Sequence, residues 1–355
     1  MNGNDLSLLR NALLHQLSRG AAEGVIDMQI PADGVNASGI DPQPPAQIRI
    51  VTSPDRFDAM ASQPMNAAGT VCPDRESLAL GDWMTEAPVA GQFADAMSGF
   101  VGEFDRPETT AIARGIRFLL ALGFGAEARL LMTALPADQS DAPLWRSMSY
   151  IVDGEMDEAP AFAAFAACDG PAALWALLSQ PGPTQGDKVA TGAALQAFSD
   201  LPPHMRQNLG PRLVESLLNQ GMNDAAESVR TAVERAMPRP DASTLLMAAD
   251  IELGNGRPAI AEGKAAAATA AAGPAMADGI VRLVEARIAQ GLPVGADTAS
   301  AVDALLRERV GSPDAMRLER ALVLAHAGSG NFDAAFAALS LAPEVEPELW
   351  AVLAR

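Results

Sequence analysis

The sequence predicts an all-α protein made of consecutive helical hairpins, with an irregular, proline- and glycine-rich segment near its N-terminus. Three observations support this prediction: an extreme alanine content, a glycine-to-alanine spacing that recurs six times, and seven prolines within residues 20–75. Alanine accounts for 71 of the 355 residues, whereas aromatic residues account for only 5%. Because alanine has the highest helix propensity and adds little volume, this composition favours closely packed helices over one large core.

The N-terminal region is predicted to contain a helix followed by irregular chain. Leucines at helical spacing predict a helix within residues 1–19. The prolines of residues 20–75 exclude helix over most of that segment. Two β-branched stretches inside it, Val25–Ile30 and Gln47–Val51, are predicted to be short strands or extended chain. We expect this segment either to occupy a groove of the helical domain, residues 76–355, or to cap its first unit.

Six glycines between predicted helices are each followed by alanine five residues later. Glycine permits the left-handed conformation that ends a helix, and alanine permits close approach where the second helix crosses the first. Three of these glycines also precede a proline by seventeen residues, and a proline stops the second helix. The pairs are Gly123 with Ala128, Gly154 with Ala159, Gly221 with Ala226, Gly254 with Ala259, Gly291 with Ala296, and Gly330 with Ala335.

This pattern resembles the tetratricopeptide repeat family, whose unit is a helical hairpin of about 34 residues. The resemblance covers roughly residues 90–355 and includes a first-helix leucine eight residues before four of the glycines: Leu213, Leu246, Leu283 and Leu322. Large aromatic residues of the family are mostly absent from the first helices here. The resemblance implies a solenoid, an α-α superhelix with an extended concave groove lined by first-helix residues.

The resemblance also implies that the groove binds a peptide or a partner protein. We expect the lining to be polar, acidic toward its middle and basic toward its C-terminal end. The candidate residues are Asn208, Glu215, Asn219, Thr244, Glu252, Asp278, Glu285, Arg317 and Arg320.

The charge of the chain limits its possible partners. The net charge is -19, and no basic patch is present to neutralise the phosphates of nucleic acid. No apolar run is long enough to span a bilayer. We therefore expect a protein or peptide partner, without nucleic acid and without a transmembrane segment.

No motif for catalysis, metal binding or a cofactor is visible in the sequence, so we expect no enzyme activity and no cofactor. The three histidines lie far apart, and no phosphate-binding loop or nucleophile motif is present. The leading interpretation is an interaction scaffold. The alternatives are a helical subdomain of a larger assembly without a ligand of its own, and an all-α enzyme that acts on glycans through two carboxylates.

The cysteines and tryptophans permit further expectations. Cys72 and Cys168 are expected to be buried free thiols, whereas a disulfide between them would fit an exported protein. No signal peptide precedes the first helix, so the protein is expected in the cytoplasm, or in the periplasm if a leader has been removed. Three of the four tryptophans lie in predicted first helices, and we expect them to pack in the core.

Several local features are predicted as well. Asp105 with Glu108, and Asp241 alone, are expected to cap the helices that follow them. Unless it is covered, the final helix would expose Leu349, Trp350 and Leu353, so we expect this end to be capped by a partner, which can be a second copy of the chain in a homo-oligomer, or to be continued by further chain.

Overall fold

The computed structural model describes most of the chain from Gly69 onward and two short strands before it. The chain divides into two compact units, Met1–Met65 and Asn66–Arg355. The predicted helix within residues 1–19 lies outside the described residues. The described residues are 26–28, 50–52, 69–136, 139–179, 189–235, 237, 240–271, 273, 275–309, 311–312, 315–341 and 349–350.

In the first unit, the two described segments form an antiparallel pair of strands. Strand β1 is Ile26–Met28 and strand β2 is Ile50–Thr52. Ile26 lies opposite Thr52, and Met28 lies opposite Ile50. Both strands overlap the stretches that the β-branched residues predicted.

The described part of the second unit is all-α, which confirms the predicted fold class. It contains fourteen α-helices, together with four 3₁₀ turns. None of the described helices is both long and apolar enough to cross a membrane. The helices are α1 (Val89–Ala96), α2 (Thr109–Leu122), α3 (Gly125–Met132), α4 (Ala142–Val152), α5 (Pro171–Ser179), α6 (Thr191–Ser199), α7 (Pro203–Asn219), α8 (Asn223–Glu234), α9 (Ala242–Gly254), α10 (Pro258–Ala270), α11 (Met276–Ala289), α12 (Ala296–Glu308), α13 (Ala315–Gly328) and α14 (Phe332–Leu341).

Helix contacts follow the order of the chain. From α7 onward each helix packs on the next one, so α7 with α8, α9 with α10, α11 with α12 and α13 with α14 form four hairpins. The first helices of these hairpins also contact one another in sequence, α7 with α9, α9 with α11, and α11 with α13. Neighbouring hairpins therefore lie side by side, with their first helices in one row.

Residues 72–83, which we call the strap, pack onto the helical unit instead of standing apart from it. The strap contains two 3₁₀ turns, and its Leu78 and Leu80 are fully buried in the core. Cys72 forms a disulfide with Cys168, at a Cα–Cα distance of 5.8 Å. The expectation of two free thiols is therefore wrong, because the strap brings the two cysteines together across 96 residues of sequence.

Two tryptophans of the helices hold the strap through hydrogen bonds as well as packing, and Trp83 makes a third such bond within the strap. Trp145 and Trp175 are fully buried, as expected of core residues, and their indole N–H groups need acceptors there. Three consecutive strap carbonyls accept from three indoles: Glu76 from Trp83 at 2.9 Å, Ser77 from Trp145 at 3.0 Å, and Leu78 from Trp175 at 3.1 Å.

The turn glycines were predicted correctly at five of the six positions. Gly123, Gly154, Gly221, Gly291 and Gly330 all have positive φ and follow the end of a helix. The sixth prediction, Gly254, is wrong, because that glycine is the last residue of α9. The residue with positive φ in this turn is Gly256, two residues later.

The crossing alanines were predicted correctly at three of the six positions: Ala128, Ala226 and Ala335 are fully buried. Ala159, Ala259 and Ala296 are exposed, so the expectation is wrong for them.

Each of the three errors has a local cause. After Gly256, the alanine five residues later is Ala261, which is fully buried. A four-residue loop after Gly291 delays the start of α12, and the buried alanine there is Ala299. No α-helix follows Gly154 before α5, so Ala159 lies in a bend.

Glycine allows an even closer approach than alanine at the contact between α10 and α11. A Cβ atom on Gly279 would lie 2.9 Å from the backbone nitrogen of Thr269 and 2.5 Å from its hydroxyl oxygen. The two helix backbones therefore meet at Gly279, and a side chain there would force them apart.

One of the predicted caps is present and one is absent. The Asp241 carboxylate accepts a hydrogen bond from the backbone N–H of Thr244 at 2.8 Å, as expected of an N-cap. Asp105 does not cap α2, because residues 100–108 form a tight turn in which Val101 pairs with Pro107. The helix accordingly begins at Thr109, with Glu108 at the N-cap position.

The end of the chain is less exposed than predicted. Leu349 is fully buried against the C-terminal helices, so the expectation of its exposure is wrong. Trp350 is 46% exposed and packs on Phe336, with ring centroids 5.5 Å apart. Leu353 lies outside the described residues.

The sequence pattern predicts the helix crossing at Ala259 of α10, whereas the structure has it at Ala261, and substitutions at the two positions test which is right. We expect Ala261→Leu to lower the free energy of unfolding by about 1–3 kcal/mol, because the larger side chain overpacks the crossing with α9. Ala259→Leu, on the exposed face two residues away, is expected to change it by less than about 0.5 kcal/mol. Urea denaturation of the two variants measures both values, and equal losses would show that the crossing does not lie at Ala261.

Reduction of the disulfide is expected to destabilise the helical unit. The bond joins residues separated by 96 positions, and closing so long a loop restricts the unfolded chain, which contributes about 2–4 kcal/mol. Thermal unfolding with and without dithiothreitol measures the effect, and the Cys72→Ser, Cys168→Ser double variant should not respond to reductant. Detection of two free thiols by mass spectrometry of the unreduced protein would contradict the bond.

Candidate functional site

The candidate site is a groove across the row of first helices. Two adjoining depressions, of about 390 and about 400 Å³, are lined mainly by residues of α7, α9, α11 and α13. We call the first the upper pocket and the second the lower pocket. They share Glu215, Asp250, Arg282 and Arg317, so together they form one continuous groove.

Helical spacing explains why charged residues gather in the groove. Residues three or four positions apart lie on one face of a helix. On α11 this face carries Asp278, Arg282 and Glu285, whereas Val281 and Val284 are buried on other faces of the helix. Each first helix therefore turns a polar stripe toward the groove while its apolar residues pack in the core.

A chain of ion pairs crosses the floor of the groove from α9 to α13. Arg282 of α11 pairs with Asp250 of α9, and also with Glu285 on its own helix at 2.9 Å. Glu285 in turn accepts from Arg320 of α13 at 2.6 Å. The side chains of Asp250, Arg282 and Glu285 are each less than a quarter exposed. These ion pairs fix the relative position of three consecutive first helices.

Burial and charge act in opposite directions on this network. Burial raises the pKa of Asp250, and the charge of Arg282 only partly offsets that effect. Burial likewise disfavours the charged form of Arg282, but Asp250 and Glu285 outweigh it and hold the pKa of the guanidinium above its ordinary value. Asp250 thus depends on Arg282 for its charge.

The upper pocket has an apolar floor beneath its charged rim. Leu178 and Met247 are buried there, and Leu246 and Pro211 line the same depression. Met156 stands at its edge and is 72% exposed. The upper pocket therefore offers apolar surface to a ligand as well as charge.

Six of the nine residues predicted for the groove line it. They come from three of the four first helices, and the sequence pattern had placed them on those helices. These residues are Glu215, Asn219, Asp278, Glu285, Arg317 and Arg320.

The other three predicted residues lie elsewhere. The Asn208 amide donates to the carbonyl oxygen of Val152 at 2.7 Å, next to the end of α4. Thr244 is buried, with its hydroxyl bonded to the capping carboxylate of Asp241. Glu252 forms an ion pair with Arg257 at the turn between α9 and α10. These three side chains therefore make contacts that stabilise the fold, and they do not line the groove.

Sequence reasoning missed the residues at the centre of the groove, Asp250 and Arg282, and also Arg212 on its edge. Arg282 lies between Asp250 and Glu285, so one cation stands among the carboxylates in the middle of the groove. Helical spacing contained the signal: Arg212 lies three residues before Glu215, and Arg282 lies between Asp278 and Glu285.

No metal site is formed by the residues that the structure describes, since no three His, Cys, Asp or Glu side chains come together there. The histidine of α7 has a structural contact, because the Nε2 atom of His204 lies 2.8 Å from the carbonyl oxygen of Ala121.

The ion-pair network yields a prediction about stability. We expect Arg282→Met to lower the free energy of unfolding by about 3 kcal/mol, because it leaves the Asp250 carboxylate, which is less than a quarter exposed, without its ion-pair partner. The loss should shrink as the pH falls through the raised pKa of Asp250, since the protonated carboxyl no longer needs a counter-charge. Urea denaturation across a pH series measures both effects.

An exposed ion pair on α12 serves as the matched control. Arg307 pairs with Asp303, but its side chain is 78% exposed. Arg307→Met should therefore cost less than about 0.5 kcal/mol at any pH. A loss as large as that of Arg282→Met, or a loss in Arg282→Met that is constant with pH, would show that buried charge is not the cause.

No protein-family model, no curated protein and no solved structure matches this chain. The proposed function therefore depends on the groove.

Proposed function

We propose that this protein is a non-enzymatic interaction scaffold, a tetratricopeptide-like superhelix that binds an extended peptide of a partner protein in the groove. The observation that carries the proposal is the row of first helices, which turns one polar stripe after another toward the same side. Each helix adds its own side chains to a single elongated surface, as stacked hairpins do in solenoid proteins.

The size of the groove favours a peptide over a small molecule. Four helix axes in a row, at about 8–10 Å from one to the next, span roughly 24–30 Å. An extended peptide rises about 3.3 Å per residue, so about seven to nine residues would cover that length. The two depressions are joined and open, which suits a chain that runs across several helices.

The state of the carboxylates favours binding over catalysis. Glycan hydrolysis needs one carboxyl group that gives up its proton and another that acts as base or nucleophile. In the groove, Asp250 and Glu285 are both bound by Arg282, and Asp278 lies 3.5 Å from Arg317, so Glu215 is the one described groove carboxylate without an arginine partner within 4 Å. Carboxylates held in this way orient the helices and meet polar groups of a ligand.

The disulfide bears on where the scaffold works. Disulfides form and persist in oxidising compartments, and the Cys72–Cys168 bond joins the strap to the helical core. We therefore propose that the protein works in an oxidising compartment, which is the exported alternative considered above.

The proposal is tested by blocking the groove. Ser243 lines the upper pocket near the start of α9, and Ser243→Trp would fill it. We expect the unmodified protein to bind members of a random nonapeptide array with saturation, and the variant to lose at least ten-fold in affinity. Fluorescence anisotropy of the selected peptides measures the dissociation constants.

A second tryptophan variant controls for surface hydrophobicity. Ser300 lies on the exposed face of α12, outside the groove, and Ser300→Trp should bind the same peptides as the unmodified protein does. If no peptide of the array binds, or if Ser243→Trp binds as well as Ser300→Trp, the groove is not a peptide site.

A further inference from the structure

We infer that the groove selects a peptide with a basic side chain flanked by two apolar ones. This inference rests on the proposed function and adds the chemistry of its ligand. Three features carry it: the one exposed carboxylate of the described groove that has no ion pair, the apolar surfaces on either side of it, and the charge of the whole chain.

Glu215 is the carboxylate in question. The other acidic residues of the groove, Asp250, Asp278 and Glu285, each have an arginine partner within 4 Å. Glu215 has no hydrogen bond or ion pair among the described residues, and it is exposed. It lines both pockets, so a ligand that runs along the groove must pass it.

The arginines of the groove are already engaged. Arg282 and Arg320 bind Glu285, and Arg317 lies beside Asp278. Arg212 is the charge nearest to Glu215 along α7, and its guanidinium donates instead to the backbone carbonyl of Glu155 at 3.2 Å. Burial lowers the pKa of Arg212, and Glu215 only partly offsets that effect. A cation from the ligand is therefore the partner that Glu215 lacks.

Apolar surface lies on both sides of Glu215. In the upper pocket it includes Leu246 and Pro211, and in the lower pocket Leu218 and Leu253, all of which are partly exposed. Alternate side chains of an extended peptide are about 6.6–7 Å apart. Because Glu215 lines both pockets, a lysine or arginine bound to it would place the apolar residues two positions before and after it in the two pockets.

The net charge of the whole protein also favours a basic peptide. A chain with a net charge of -19 attracts cationic peptides and repels anionic ones at moderate ionic strength. This attraction raises the local concentration of basic ligands without selecting among them. Selection within the groove therefore depends on Glu215.

Four fluorescein-labelled nonapeptides test the inference. The first has arginine between two leucines, each separated from it by one serine, with glycines at both ends. In the second and third, glutamate or methionine replaces the arginine, and in the fourth, serines replace both leucines. We expect the unmodified protein to bind the arginine peptide at least ten-fold more tightly than each of the other three, by fluorescence anisotropy at 150 mM salt.

Two variants of the protein assign the preference to its residue. Glu215→Gln should reduce the preference for arginine over methionine to less than three-fold while it still binds the leucine peptides. Glu308→Gln, which removes an exposed carboxylate at the end of α12, should keep the full preference. If Glu215→Gln retains the preference, long-range attraction explains it and the inference is wrong.

The outcomes separate this inference from the proposed function. If nonapeptides from the random array bind and Ser243→Trp blocks them, but the glutamate peptide binds as tightly as the arginine peptide, the groove is a peptide site and the stated selectivity is wrong. If no peptide of either set binds, both the selectivity and the peptide-binding function are wrong.

Discussion

The close approach of helix backbones is the constraint on which the rest of this structure depends. A chain with so few aromatic side chains cannot fill wide gaps between helices, so its helices must lie close together. Alanine at the crossings, as at Ala226 and Ala261, and glycine at Gly279 remove the side-chain volume that would hold the backbones apart. Small side chains allow contact only between helices that lie next to each other. Each hairpin therefore packs on its neighbours in the chain, and the first helices form a row.

The large side chains of the core are concentrated where the row of hairpins begins. Trp145, Trp175, Phe162 and Phe198 are all fully buried there, next to the strap. The tryptophans bury their rings and use their N–H groups to bind backbone carbonyls, so they satisfy polar groups that the irregular strap could not pair by itself. An end of the helical array that would otherwise be exposed is thereby covered by a segment of the same chain, which the disulfide also holds.

The groove follows from the same packing. Because second helices occupy one side of each hairpin, the first helices are left with one face free, and the polar residues of that face meet those of the next hairpin. Arg282 reaches Asp250 across that gap, and Glu285 reaches Arg320 across the next. Removing these charges from water is costly, and ion pairs offset that cost, both between neighbouring helices and, for Arg282 and Glu285, within one helix. The packing of the hairpins thus forms the groove, and the ion pairs in the groove stabilise that packing.

The sequence by itself determined the helical class, five of the six turn glycines and six of the residues in the groove, because helical periodicity and the left-handed turn of glycine are local properties. Tertiary structure decided the features that depend on distant residues. Whether Cys72 meets Cys168 depends on the path of the strap, which no spacing encodes. Which alanine lies at a crossing changes with the length of each turn, as Ala261 and Ala299 show. The pairing of Asp250 with Arg282 needs two helices at a set separation, and that separation exists only once the hairpins have packed.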